Sequence, residues 1–197
     1  MMERTTPFPR LAVALDYAFS DERHTAARPA MARAADARLG DPGPFSGIDG
    51  AAETGTARKF LEKGLLPLHF AVLRARYGQR KSPCKFCGCA GDHLEWLTAI
   101  RALANELAEF LAMPSVNSEM RLDLLRRLFE GKDGVGLEDL AKRHDCSLST
   151  SKRASAKTAS WIKGARKAKT SEPAVYGIEQ GAHAAAEKLL RDGGFIP

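Results

Sequence analysis

A chain of 197 residues, 44% of them hydrophobic, is long enough for one substantial domain or two small ones and apolar enough to bury a core. Its longest apolar stretches, such as residues 65–73, are broken by Pro67 and His69 and fall far short of the about 20 residues a membrane span needs, so neither a transmembrane helix nor a membrane partner is expected. Thirty Lys and Arg against 24 Asp and Glu leave a formal charge of +6, a balance that suits a polyanionic partner.

The opening Met1-Met2-Glu3-Arg4 runs into Thr and Pro rather than into the basic start and apolar stretch of a secretory leader, and the expected location is the cytoplasm. Residues 11–19 carry Leu11, Val13, Ala14, Leu15, Ala18 and Phe19, a spacing that predicts a short helix. From 23 to 56 the composition shifts to Ala, Arg, Gly and Pro. Gly40-Asp41-Pro42-Gly43-Pro44 cannot continue a helix, and the stretch reads as a mobile linker with one short helix near 30–39. Asp49 and Glu53, one turn apart, read as an acidic helix start favoured by the helix dipole rather than as a magnesium pair. A helical stretch then begins near Ala51 and runs through Phe60 and Leu61 to about Tyr77, interrupted by Gly64 and Pro67 and stopped by Gly78. Arg58, Lys59, Lys63, Arg74, Arg76, Arg80 and Lys81 are balanced there only by Glu62, which reads as a second basic patch.

Three of the four cysteines crowd into Pro83-Cys84-Lys85-Phe86-Cys87-Gly88-Cys89, unlike the spread framework of a disulfide-rich secreted fold. The two-residue spacing followed by Gly is the tight turn of a zinc knuckle. Cys84, Cys87, Cys89 and His93 make a Cys₃His set for tetrahedral Zn²⁺, with His69 or a second chain as the other source of the fourth ligand. Four protein ligands leave no open position for water, so the expected role of the metal is structural.

Past the cysteines, residues 94–113 form the clearest amphipathic helix, with Leu97, Ile100, Leu103, Ala104, Leu107, Phe110 and Leu111 recurring at three and four; its expected role is core scaffold, closed by Pro114. Asn117 or Ser118 is placed to cap the next helix, 119–130. Three segments then follow in order, 120–129, 137–144 and 149 to about 167, joined by Gly131-Lys132-Asp133-Gly134 and Asp145-Cys146-Ser147-Leu148. That is the layout of a DNA-reading trihelical unit. Between 121 and 169 stand thirteen basic and six acidic residues, so this quarter holds a net +7 while the remainder is close to neutral. Ser147 is the expected cap of the third helix, with Ser149 or Thr150 as substitutes. Residues 176–196 read as a last helix, with Ala182, Ala185, Ala186, Leu189 and Leu190 on one face and Gly193-Gly194 as its stop. It packs back on the module or makes a dimer contact, and both a monomer and a homodimer stay open.

The run Leu137-Glu138-Asp139-Leu140-Ala141-Lys142-Arg143-His144, then Cys146-Ser147-Leu148-Ser149-Thr150 and Lys152-Arg153, resembles the promoter-reading C-terminal domain of sigma factors. Among proteins with such a module it is most similar to one branch of the phage antitermination Q proteins, over about 50 residues. The resemblance implies a late-gene regulator that binds DNA near a promoter and loads onto RNA polymerase, with its sigma factor, to pass terminators. This sequence has Asp145 where glycine is commonest in the turn, and Ser151 and Ala154 where larger apolar residues usually pin the third helix; Trp161 and Ile162 are placed to supply some of that packing. Asp tolerates the left-handed conformation better than most residues. Ser149, Lys152 and Arg153 are the expected base contacts, since Lys and Arg donate to guanine O6 and N7. Thr150, Lys157, Lys163, Arg166 and Lys167 are assigned to phosphates.

No glycine-rich phosphate loop, Gly-x-Ser-x-Gly elbow or His-Glu-x-x-His pair occurs, the five histidines are scattered, and no enzymatic activity is expected. No run of two-residue period is long enough for a sheet. The chain therefore reads as all-α, a helical bundle with a C-terminal helix-turn-helix and a small zinc knuckle inserted between helices. Its expected divisions are 1–56, 57–115, 116–170 and 171–197. A small-terminase-like DNA-packaging protein and a conventional repressor or activator are the alternatives to antitermination.

Overall fold

Glycine and proline cut this chain into helices. The computed structural model describes residues 6–19, 48–83, 87–131, 134–164 and 176–197. Among them are eight helices, α1 (Leu11–Phe19), α2 (Ile48–Gly64), α3 (Pro67–Tyr77), α4 (Leu94–Leu111), α5 (Ser118–Glu130), α6 (Leu137–Arg143), α7 (Leu148–Lys163) and α8 (Ile178–Asp192). One antiparallel ribbon, β1 (Lys81–Pro83) with β2 (Ala90–Asp92), lies between α3 and α4. The chain is mostly helical, as its periodicity predicts. No helix among the described residues is long and apolar enough to cross a membrane.

Two sequence expectations need correction here. The linker read as running to about 56 ends earlier: α2 begins at Ile48, three residues before the helix start expected near Ala51. Ala51, Ala52 and Glu53 are good helix formers, and they outweigh Gly50 and Gly55. The short helix expected near 30–39 lies outside the described residues. The ribbon was not expected at all. Its strands hold Lys81, Ser82 and Pro83 paired with Asp92, Gly91 and Ala90, with none of the β-branched or aromatic residues that mark a strand.

The chain divides into two compact units, residues 1–65, 77–79 and 185–197 in one and 66–76 and 80–184 in the other. In the first, α1 packs on α2. Ala14, Leu15, Ala18 and Phe19 of α1 and Ala57 and Leu61 of α2 are buried, together with Phe8, Ala186, Leu190 and Ile196. The Phe8 amide donates to the Phe195 carbonyl at 2.9 Å, and the Phe60 and Phe195 rings lie 5.6 Å apart. Helix α8 ends in a Schellman turn: Phe195 N–H donates to Leu190 O at 2.8 Å and Gly194 N–H to Arg191 O at 3.0 Å, with Gly194 at φ 73°.

In the second unit α4 is the hub, packing on both α5 and α7. Its buried Trp96, Ala99, Ile100, Leu103, Ala104, Leu107 and Leu111 recur at three and four, and Trp96 Nε1–H donates to the Ala75 carbonyl at 3.1 Å. The helix stops at Leu111, two residues short of the expected end. Pro114 disfavours a helical conformation at Met113, and Ala112 turns left-handed at φ 47°. Asn117 caps α5, its Oδ1 accepting from Met120 N–H at 2.8 Å.

Three of the seven cations of the second basic patch are paired within the fold. Buried Arg74 pairs with Glu95. Arg76 donates through Nε and Nη2 to both oxygens of Glu179 at 2.5 and 2.9 Å and lies 5.1 Å over the Phe129 ring. Lys81 pairs with Asp92 at 2.6 Å. Two of these three partners are supplied from beyond β2, where a window on the sequence does not look.

The chain returns to the end of α7 through a bridge between Gly164 and Tyr176. At Gly177 a Cβ would stand 2.2 Å from Gly164 N and 2.3 Å from Ile162 O, both backbone atoms that a side-chain rotation cannot move. Gly177→Ala should therefore lower the unfolding free energy by about 2–3 kcal/mol. A urea midpoint equal to the parent's contradicts this close crossing.

Candidate nucleic-acid interface

Helix α6 is only two turns long, and its ends are built to hold it. Glu138 and Asp139 stand in its first turn and Lys142 and Arg143 in its last, matching the helix dipole at both ends. Its C-terminus closes in a second Schellman turn, with Cys146 N–H donating to Ala141 O at 3.0 Å and Asp145 N–H to Lys142 O at 3.4 Å. Asp145 takes the left-handed position at φ 46°, where glycine is usual. Cys146 is half-buried in the turn. Ser147 then caps α7, its Oγ accepting from Thr150 N–H at 3.1 Å, with Ser149 Oγ at 2.8 Å and Thr150 Oγ1 at 2.9 Å from the same oxygen.

Helix α7 seats on a stripe of small residues. Ser151, Ala154, Thr158 and Ile162 are its buried face, and α6 offers Leu140 and Ala141. Short side chains let the two helices approach closely, and the hydroxyls do not go unsatisfied: Ser151 Oγ donates to Leu137 O at 3.2 Å and Thr158 Oγ1 to Ala154 O at 2.9 Å. Ile162 is buried and half-buried Trp161 meets Phe110 at 6.0 Å between centroids, so the far half of the helix does supply packing. Asp123 of α5 fastens the turn, accepting from Arg143 Nη1 at 2.9 Å and lying 3.0 Å from His144 Nε2.

At 100° per residue, Ser149, Lys152, Arg153, Ala156 and Lys163 fall within an arc of about 100° opposite the buried stripe. All five are exposed. The neighbouring cations divide into two groups. Arg121 donates to Ala104 O and Val116 O, Arg126 to Asp92, Arg127 to Val135 O, Arg143 to Asp123, and Lys157 Nζ to Leu111 O at 3.4 Å. Lys142, Lys152, Arg153 and Lys163 are exposed and have no such partner among the described residues. Lys157, expected at a phosphate, thus has a carbonyl at the end of α4 as its partner. Arg166 and Lys167 lie outside the described residues. The helix expected to reach about 167 stops at Lys163, because Gly164 turns to φ 80°.

The cysteine run forms the loop of the ribbon, bracketed by Pro83 and Ala90. Cys84 lies outside the described residues; Cys87 and Cys89 are exposed, and Gly88 between them has φ 69°. His93 follows β2 as the N-cap residue of α4, its N–H donating to Arg80 O at 2.9 Å. Among the described residues no three His, Cys, Asp or Glu are grouped to hold a metal ion. His69 packs beside Gly181, whose Cβ would lie 3.4 Å from Nε2. It stands near the start of α3, about 12 Å along the axis from the end that leads to the ribbon. Asp92 anchors the ribbon, its Oδ1 accepting from Lys81 and its Oδ2 from Arg126 of α5 at 2.7 Å. Burial raises the carboxyl of nearby Glu130 above its ordinary range, opposed by Lys81. Sequence reasoning missed this attachment, since Asp92 and Arg126 are separated by an entire helix.

Asp145→Gly should raise stability by about 1 kcal/mol by relieving the left-handed backbone, and Ser147→Ala should lower it by about 1 kcal/mol through loss of the cap. Thermal melts of both variants check the pair, and a shift of the wrong sign in either refutes that part of the turn. No family model matches the chain, and a search of curated proteins found no match.

Proposed function

We propose that the chain is a sequence-specific double-stranded DNA-binding transcription regulator, in which α6 and α7 act as a helix-turn-helix and α7 enters the major groove. The observation that carries this reading is the exposed arc of α7. Lys152, Arg153 and Lys163 stand on it without partners, while the arginines of α5 are spent inside the fold. A major groove about 12 Å wide admits a helix of about 10–12 Å diameter. Arg153, Lys152 and Ser149 are assigned to base edges, and Lys163, Lys142 and Thr150 to phosphates, with Arg166 and Lys167 added from sequence.

Within this class, the likeness of residues 137–153 to phage antitermination Q proteins supports a cytoplasmic antiterminator that loads onto RNA polymerase and its sigma factor. The protein binds rather than transforms its partner, as a monomer or homodimer. Three thiolates and an imidazole from Cys84, Cys87, Cys89 and His93 suit a structural zinc ion, and a ribbon that closes on the cysteine loop with a left-handed Gly88 is a fitting frame for it.

Fluorescence anisotropy on a duplex panel, followed by transcription across a terminator, tests the reading. Arg153→Ala should cost about 1–3 kcal/mol at the cognate site and relax preference at one base pair. Lys163→Gln should weaken all duplexes alike and reduce the slope of log K against log salt by about 0.9. Equal binding by parent and both variants overturns the assignment of α7. Unchanged readthrough with intact DNA binding points instead to a repressor or activator, and a ring of many subunits by native mass points to DNA packaging.

A further inference from the structure

We propose that Ala156 reads the 5-methyl group of a thymine in the base pair next to the guanine assigned to Arg153, an inference that rests on the DNA-binding reading above and narrows the duplexes that qualify. Five residues make up the exposed arc of α7, and four of them, Ser149, Lys152, Arg153 and Lys163, end in hydrogen-bond donors. Ala156, the fifth, ends in a methyl group. At 100° per residue it lies within about 25° of the direction opposite the buried stripe of Ser151, Ala154, Thr158 and Ile162, with Arg153 and Lys152 about 60° and 40° to either side. A helix laid in a groove by those two cations carries the methyl between them toward the base edges.

The edges of the major groove offer one apolar feature. Guanine, adenine and cytosine present donors and acceptors there, and thymine adds a C5-methyl beside its single acceptor. An alanine side chain has neither donor nor acceptor, so against a polar edge it gains nothing and screens that edge from water. Against thymine the two methyl groups remove each other from water, a gain that needs no polar partner. The spacing along the helix agrees. Ala156 follows Arg153 by three residues, about 4.5 Å along the axis, and successive bases of a strand stand about 3.4 Å apart. The two side chains therefore meet neighbouring base pairs rather than the same one. The ligand class that follows is a duplex in which a G·C pair adjoins an A·T pair whose thymine methyl faces α7.

Uracil in place of thymine removes this methyl and keeps every donor and acceptor of the base pair. The test takes a duplex selected by the full chain from a randomised pool, substitutes uracil at each thymine in turn, and reads affinity by fluorescence anisotropy at fixed salt. The pair read by Arg153 is the one at which Arg153→Ala loses preference. Uracil beside that pair should weaken binding by the parent about fourfold, the effect of one buried methyl group. Ala156→Gly should bind the thymine and uracil duplexes equally. Ala156→Ser, which disturbs the helix less, should hold the difference below about twofold if the glycine variant fails to fold. A selected site with no thymine beside that guanine, uracil tolerated at every thymine, or a loss that persists undiminished in both variants overturns the role of Ala156 while sequence-specific binding stands. If the parent selects no sequence, the DNA-binding reading itself falls and this assignment with it.

Discussion

The seat of α7 on α6 is the constraint from which the rest of the second unit follows. Ser151 and Ala154 are too small to hold helices apart, so the two backbones approach until the Ser151 hydroxyl reaches the Leu137 carbonyl. A helix buried along one narrow stripe must expose the opposite one. Because the stripe is small and neutral, every long charged side chain of α7 is pushed to the outside. The Schellman turn with Asp145 and the Ser147 cap fix where the helix begins, and the crossing at Gly177 fixes where it ends.

Electrostatics then sorts the cations by partner rather than by number. Counting residues made 121–169 the seat of the positive surplus, which is correct as a count and incomplete as a map. Arginines dominate the consumed set, Arg74, Arg76, Arg121, Arg126, Arg127 and Arg143, since a planar fork of donors suits carboxylates and backbone carbonyls. The cations left facing outward are mostly lysines. On α7 itself the exception is Arg153.

Much of the fold was legible because helical periodicity and capping are local. Leu103, Leu107 and Leu111 announce α4 by spacing alone, Asn117 and Ser147 were identifiable as caps, and Asp145 was marked by the resemblance as the turn position where glycine is commonest. What was hidden depends on distance or on weak local signals. Arg76 and Glu179 are 103 residues apart. The ribbon is made of Lys, Ser, Pro, Ala, Gly and Asp, whose propensities argue against a strand, and it forms because Asp92 and the pairing across it outweigh them. The end of α7 was placed too late because Gly164 looks like any tolerated helix glycine until its backbone is seen to turn left-handed. The same difficulty applies to the candidate site: Lys152 and Arg153 stood out in the sequence, but nothing local distinguished Lys163, left outward, from Lys157, drawn to the end of α4.

The crossing of Gly177 over the last turn of α7 also sets a length. The helix is held by a cap at one end and by backbone close to backbone at the other, so the interval between its cations is set by helical geometry. Lys152 and Lys163, eleven positions apart, are held about 16 Å from each other along the axis. Flexible lysines on a loose helix would accept any spacing of anionic groups. On this helix the interval between the two backbone positions is fixed, and only the reach of the side chains beyond it can vary.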